Sequence, residues 1–316
     1  MNKYRNENYA VTPGLNELNL NFDLFLYNSD AHLKTQTNNA VQTFVQYRNN
    51  TPIAVIHFAP ETTVMWISPP RSPFGSIQYD PTCSQEEVNN FLDYTIESIK
   101  KKGVTSLQIK HYPTCYLFGQ DDLVGKSYIQ YGFSKTTQVN YHIVVSEKPF
   151  TEIITSPEKR RLNKCIRNNF ICERNAVRDV KTIYQFLQFC RLKKQYSLSL
   201  NEAQLGLLFS NCQAEVHVFT VKYAGKIVAL SVTVRVHQKI LYNFLTDNHP
   251  EYRPFSPSVL LMQGIYDFCQ TSNIEILDLG TSLDQHEKEK AGLTRFKKNL
   301  GGIPSEKSIF NMDWPS

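Results

Sequence analysis

The sequence predicts an α/β protein, a mixed twisted sheet flanked by helices, built twice along the chain. Three observations predict it. Each half opens with a set of hairpin strands, each set is followed by a helix, a strand and a short glycine-terminated helix, and corresponding elements are almost equally spaced. The strands starting at Ile53 and Ile227, those starting at Leu107 and Ile276, and the glycines Gly132 and Gly301 lie 174, 169 and 169 residues apart. A near-constant offset across three kinds of element points to one duplicated unit.

In chain order, Thr43–Arg48 and Ile53–Phe58 are β-branched or alternating runs around Asn49-Asn50-Thr51-Pro52, a hairpin signal. A third strand is expected at Thr63–Ile67, a helix at Ser84–Lys102, a strand at Leu107–Lys110 and a short helix at Tyr128–Gly132. A helical stretch then intervenes. Pro157 opens a basic helix to about Asn168, apolar residues at helical spacing mark Val177–Tyr196, and Asn201 with Gln204 forms a capping box. The second set comes next: Val216–Tyr223 and Ile227–Val236 around Ala224-Gly225-Lys226, then Ile240–Thr246, a helix at Ser256–Thr271, a strand at Ile276–Leu279 and a helix at Phe296–Gly301. The expected domains are residues 1–150 and 151–316, divided within Ser146–Pro157. The element order implies a mixed sheet, not a doubly wound one.

Composition narrows the class. The 316 residues are 41% apolar, enough to bury two ordinary cores. No apolar run approaches the ~18 residues that span a bilayer, and Met1-Asn2-Lys3-Tyr4-Arg5-Asn6 lacks a signal peptide's apolar core, so a soluble, cytoplasmic protein is expected. Seven scattered cysteines without a C-x-x-C spacing imply neither disulfides nor zinc. Residues 1–150 carry 12 Lys and Arg against 13 Asp and Glu, leaving 22 against 16 for the rest, an excess of six. That asymmetry suits an anionic ligand in the second half, a phosphorylated cofactor or an RNA backbone, or else a solvated basic face. The phosphate-loop, dinucleotide, zincin and nucleophile-elbow motifs are absent, which argues against kinases, simple dehydrogenases, zinc proteases and α/β-hydrolases.

The two equivalent helix starts differ. Ser84-Gln85-Glu86-Glu87 places carboxylates on a positive helix end and would repel an anion. Arg253-Pro254-Phe255-Ser256-Pro257-Ser258 has a candidate cap at Ser256, proline at the first helical position, no acid in the first turn and an arginine alongside, a candidate phosphate seat. Arg160, Lys164 and Arg167 share one helix face and supply a stripe for a pyrophosphate or a tRNA backbone, with a solvated face as the alternative. The segment Gly292-Leu-Thr-Arg-Phe-Lys-Lys-Asn-Leu-Gly-Gly302 is expected to hold Lys297 at the mouth of a cleft, where a protonated lysine would stabilise the oxyanion formed when an amine attacks an ester or thioester. Asp278 or Asp284 would take the ammonium proton or position the amine, and His286 lies in the same segment. Tyr242 is a weaker candidate on a neighbouring strand. Pro113 separates His111 from Cys115 and removes a helical dyad.

The hairpin around Gly225-Lys226, Tyr242, the helix after Pro257, Asp278-Leu279-Gly280, Gly292-Leu293 and Phe296-Lys297 through Gly301-Gly302 together resemble the FemXAB-type aminoacyltransferases of the wider GNAT superfamily. The resemblance covers the second unit and, over residues 1–150, the order of elements. It implies two GNAT-like domains in tandem and transfer of amino acids from aminoacyl-tRNA to the peptide of a peptidoglycan precursor. It also implies that Phe296 and Lys297 form the family's Phe-Lys pair, and that Arg160 to Arg167 matches an arginine-rich helix. No tightly bound cofactor, metal or DNA partner is implied. This chain departs from the family in lacking a long charged insertion, in having Leu300 where an aromatic is usual, and in carrying serines in the 253–258 loop where GNAT proteins carry glycines. A coenzyme A-dependent N-acetyltransferase acting on a small amine or nucleotide sugar, and a non-catalytic module binding RNA or an envelope precursor, are the alternatives.

Overall fold

The computed structural model describes residues 8–12, 14–15, 18–36, 41–69, 71–175, 177–284 and 287–314. The chain forms two compact units, residues 1–138 with 306–316, and residues 139–305. The boundary therefore falls twelve residues before the expected one at 150, and the chain end belongs to the first unit.

The first unit contains β1 (Tyr9–Thr12), α1 (Asp30–Leu33), β2 (Gln42–Arg48), β3 (Thr51–Pro60), β4 (Met65–Ser68), β5 (Gln78–Tyr79), α2 (Gln85–Lys100), β6 (Ser106–Lys110) and α3 (Leu123–Gln130). The next strand, β7 (Ser134–Val144), leads into the second unit. That unit continues with α4 (Phe150–Ile153), α5 (Ser156–Arg167), β8 (Ile171–Arg174), α6 (Val180–Leu192), α7 (Glu202–Asn211), β9 (Val216–Tyr223), β10 (Lys226–His237), β11 (Ile240–Asn248), α8 (Pro257–Thr271), β12 (Ile276–Thr281) and α9 (Ala291–Asn299). The final strand, β13 (Ile303–Asp313), ends in the first unit. Both hairpin sets form as expected. The third strand of the first set is displaced to Met65–Ser68 because Thr62 turns the chain, its hydroxyl accepting the amides of Val64 and Met65. The helix expected from Tyr128 begins five residues earlier, where Asp122 accepts the Gly125 amide as its cap.

Each sheet has the same plan. In the first unit the order is β1-β2-β3-β4-β6-β13, with β4 and β6 parallel and β13 antiparallel to β6. In the second it is β7-β12-β11-β10-β9-β8, with β11 and β12 parallel and β7 antiparallel to β12. The strand beside each parallel pair thus comes from elsewhere in the chain: β7 comes after α3 but pairs with β12, and β13 comes after α9 but pairs with β6. That exchange explains the displaced boundary.

Helix α2 lays Val88, Phe91, Leu92, Ile96 and Ile99 on the first sheet, and α8 lays Val259, Leu261, Met262, Ile265 and Tyr266 on the second. The seven cysteines, five buried and Cys115 and Cys172 partly buried, form no disulfide among the described residues.

The two units differ at the end of the parallel pair. In the first, pairing of β4 with β6 ends at Ser68 and Ile109, and the chain then folds back over the strand ends. The Gly75 amide donates to the Lys110 carbonyl at 2.8 Å and the Ser76 amide to Ser68 Oγ at 3.1 Å. Only glycine fits at 75, since a Cβ there would lie 1.8 Å from Pro69 Cδ. Ser76 Oγ meets His111 Nδ1 at 2.8 Å and Tyr128 Oη at 2.9 Å, and His111 Nε2 meets Asp122 Oδ1 at 3.2 Å. The end of the first parallel pair is therefore filled by its own chain.

The first unit also buries two neutral histidines. His57 Nδ1 meets Thr43 Oγ1 at 2.8 Å and its Nε2 meets the Asn28 carbonyl at 3.0 Å. Burial lowers both His57 and His32 to about 4. An unfolded histidine takes up its proton near pH 6.5, and these two do so only near 4 when folded, so the unfolded state binds more protons between those values. Stability should therefore fall as pH drops from about 6.5 towards about 4, by up to roughly 1.4 kcal/mol per pH unit for each histidine. Urea unfolding tracked across that range checks this, and a midpoint independent of pH would contradict it.

Candidate active site

In the second unit no strand pairs with the equivalent edge among the described residues. Parallel pairing of β11 with β12 runs from Ile240↔Ile276 to Tyr242↔Asp278 and stops, although β11 continues to Asn248 and β12 to Thr281. Two local features part the strands. In β11 the register against β10 skips Phe244, a bulge that bends the strand. In β12 the Asp278 carboxylate accepts the Gly280 amide at 2.7 Å, an Asx turn, and Gly280 adopts φ +72°. The open edge of β11 from Tyr242 to Asn248 is about 20 Å long at the usual rise per residue.

The Gly280 peptide is gripped from both sides. Its N–H goes to Asp278, and its carbonyl accepts from Lys297 Nζ at 2.8 Å, while the Thr281 carbonyl accepts from the same ammonium at 2.7 Å. Lys297 is buried, at 6% exposure, whereas its neighbours Arg295 and Lys298 are exposed. The expectation of a lysine standing at a cleft mouth is thus corrected: Thr294, Lys297 and Leu300, three residues apart, share the buried face of α9. Gly301 and Gly302 end the helix, the Gly302 amide donating to the Lys297 carbonyl at 3.0 Å and that of Gly301 to Lys298 at 3.0 Å, a Schellman closure. A Cβ on Gly302 would come within 2.6 Å of the Lys297 carbonyl, so the double glycine fixes the lysine's backbone.

Tyr242 belongs to the same group. It stands in register with Asp278, and its ring would lie 3.3 Å from a Cβ at Gly280. Burial, and secondarily the Asp278 carboxylate, push the Tyr242 hydroxyl above the usual phenol range, so it stays protonated. On the other side of β12, Asn140 Nδ2 donates to Asp278 Oδ1 at 2.9 Å and His142 stands in register with Asp278. Burial lowers His142 below the usual histidine range, outweighing the opposing pull of Asp278. Asn140 and His142 were missed from sequence. Their signal is the alternation of β7, in which Tyr141 and Ile143 enter the core and the polar residues take the other face.

A second group forms at the far end of the open edge, where Ser258 Oγ lies 3.4 Å from Asn248 Oδ1. The chain passes through a 3₁₀ turn, Pro250–Phe255, into α8. Ser256 occupies the cap position and Pro257 the first turn as expected, but Ser256 sits at φ +57° and its side chain accepts no helix amide. The expected cap is therefore corrected: Ser256 Oγ lies instead 3.5 Å from the Arg253 carbonyl. No acid occupies that first turn, whereas α2 carries the full Ser84–Glu87 capping box. Lys164 Nζ donates to the Pro254 carbonyl at 2.8 Å and lies 4.9 Å from the Phe255 ring centroid, which joins the basic helix α5 to this turn. Arg160, Arg167 and Arg253 are exposed.

The remaining candidates fall elsewhere. Phe296 is half-buried against the core of the second unit. Asp284 holds a turn, its Oδ1 accepting the Lys288 amide at 3.0 Å. His286 lies outside the described residues.

Residues 193–298, from just before α7 into α9, match the family model described as an acetyltransferase (GNAT) domain. No curated protein sequence matches the chain. Among solved structures the chain is similar to FemX, at 12% identity with 92% of each chain covered and a TM-score of 0.71. It is also similar to a tandem GNAT protein from the clavulanic acid biosynthesis pathway, at 10% identity, 88% of this chain and 84% of that one, TM-score 0.58. A third is L-PGS from Bacillus licheniformis, at 11% identity, 84% and 82%, TM-score 0.56. These likenesses are of fold, and they show two GNAT-like domains in tandem along the chain. No helix among the described residues is long and apolar enough to cross a membrane.

Gly280→Ala is expected to lower stability by about 1–3 kcal/mol, because an alanine meets both left-handed strain and the Tyr242 ring. Chemical denaturation measures it, and an unchanged midpoint would show that the turn does not depend on glycine.

Proposed function

We propose that the chain is an N-acyltransferase of the Fem-like type, moving an aminoacyl or acyl group from an activated ester or thioester to a primary amine. The observation that carries this reading is the parting of β11 from β12 beyond Tyr242 and Asp278, with Lys297 at one end and the uncapped start of α8 at the other. An elongated donor fits such an edge. Its phosphates would lie at the α8 amides beside Arg253, Ser256 and Ser258, and its acyl carbonyl near Gly280.

Catalysis in this reading is positioning plus electrostatics. The Lys297 charge sits where β12 ends and favours an oxyanion there, and Asp278 orients the amine. Phe296 packs against the core of the second unit and holds the helix in place. The exposed Arg160 and Arg167, with Lys164 tied to the α8 turn, favour a polyanionic donor, aminoacyl-tRNA, over acyl-CoA. A peptidoglycan precursor as acceptor is supported by the family resemblance alone. The second reading, a coenzyme A-dependent acetyltransferase, is favoured by the uncapped α8 terminus, which suits a pyrophosphate.

Calorimetric titration with acetyl-CoA and with charged tRNA at low salt separates the two. Acetyl-CoA binding that disappears in Arg253→Ala selects the coenzyme, and tRNA binding without it selects the Fem-like donor. If tRNA is the donor, replacing Arg160 and Arg167 by alanine should reduce the slope of log affinity against log salt by roughly 0.7–0.9 per residue. Binding of neither donor would overturn the proposal.

Lys297→Ala should abolish transfer while leaving donor affinity within a few-fold of normal, at a stability cost of about 1–3 kcal/mol from the two carbonyls it releases. Parallel loss of donor binding and transfer in a folded variant would remove Lys297 from the chemistry.

A further inference from the structure

Two polar atoms on the strand beside Asp278 are buried and have no hydrogen-bond partner among the described residues: Asn140 Oδ1 and His142 Nδ1. Buried polar atoms are paired in nearly all folded proteins, so such a pair calls for something to fill it. Asn140 is fully buried, and His142 is only 6% exposed. They flank one point of the sheet, since Asn140 pairs with Thr281 and His142 with Asp278.

The orientation of Asn140 is fixed by its partners. Its Nδ2 donates to Asp278 Oδ1 at 2.9 Å and approaches Ser305 Oγ at 3.4 Å, leaving the carbonyl oxygen as the open atom. Asp278 is itself anchored, its Oδ1 accepting from both Asn140 and Gly280. An amide oxygen, an imidazole nitrogen and a carboxylate on one face form a site rich in acceptors. Such a site selects a donor carrying several N–H groups and a positive charge.

We propose that Asn140, His142 and Asp278 form the seat of the acceptor's primary ammonium, and that His142 is the base that deprotonates it. This assignment rests on the acyl-transfer reading. His142 Nδ1 takes one proton from the ammonium. The freed lone pair forms the N–C bond as the C–O or C–S bond of the donor breaks, a second nitrogen proton passes to the departing oxygen or sulfur, and His142 returns its proton to solvent. A histidine kept neutral by burial is ready for this role near pH 7. Among the described residues the charged group that acts on it is the Asp278 carboxylate, in register with it on the neighbouring strand.

The test uses full-length protein labelled with ¹⁵N-histidine and two probes, Nα-acetyl-L-lysine methylamide and the uncharged Nα-acetyl-L-norleucine methylamide. The His142 signals are assigned by their loss in His142→Gln. The lysine probe should shift the His142 Nδ1 resonance and the norleucine probe should not, and Asn140→Leu should weaken the lysine probe at least tenfold. In the transfer assay, His142→Gln should remove the acid limb of the kcat/KM profile. A His142 resonance indifferent to the lysine probe, or equally responsive to both probes, would overturn the proposal, as would an acid limb that survives in His142→Gln. Since amine binding is read without a donor, lysine-probe binding with no transfer from any donor would refute the acyl-transfer reading alone and leave the ammonium seat standing.

Discussion

The peptide of Gly280 is held between opposite charges, and the arrangement of the second unit's open edge depends on that grip. The Asp278 carboxylate takes its N–H and the Lys297 ammonium its carbonyl. Each is a charged group that is costly to bury without hydrogen bonds, and each gains them from backbone that the turn has parted from β11. The turn itself needs a residue that tolerates positive φ and leaves room for the Tyr242 ring. The consequence runs outward: β12 leaves β11 at one defined residue, α9 must end in two glycines to deliver Lys297, and the neighbouring strand β7 presents Asn140 and His142 to the other side of Asp278.

The wall opposite is equally fixed. Asp247, almost fully buried near the end of β11, forms an ion pair with Arg191, whose Nε lies 3.0 Å away, and accepts a hydrogen bond from Lys194, so α6 is clamped to the strand that carries the bulge. In the first unit the same architecture serves another end. There the chain after β4 closes over the strands through Gly75 and Ser76, and the acidic capping box of α2 occupies the helix terminus that in the second unit stands uncapped. The same fold thus stands filled at this place in the first unit and, among the described residues, unpaired in the second. The contrast is made by a few side chains and a loop, not by a change of topology.

Much of this was legible in the sequence because it is written in local periodicity. The hairpins around Asn49-Asn50 and Ala224-Gly225, the helices α2 and α8 and the constant offset all arise from short-range patterns. The exchange of β7 and β13 was not legible, since which strand pairs with which is decided by tertiary geometry and no residue in Ser134–Val144 declares its partner. The burial of Lys297 was readable in part: its i−3 and i+3 neighbours Thr294 and Leu300 mark an inward face, but two flanking cations disguised it. Ser256 shows the limit of residue-type rules. A serine before proline at a helix start predicts a cap, and the left-handed turn set by Pro250–Phe255 points its hydroxyl elsewhere.

The most direct test is amide hydrogen exchange with two inert donor mimics, coenzyme A and a 3′-amide-linked aminoacyl adenosine. At least one of them is expected to slow exchange in residues 243–248 and 256–260 of the second unit and to leave residues 68–77 of the first unchanged. Protection confined to the first unit, or protection of neither unit by either mimic, would contradict the assignment of the open edge as the donor site.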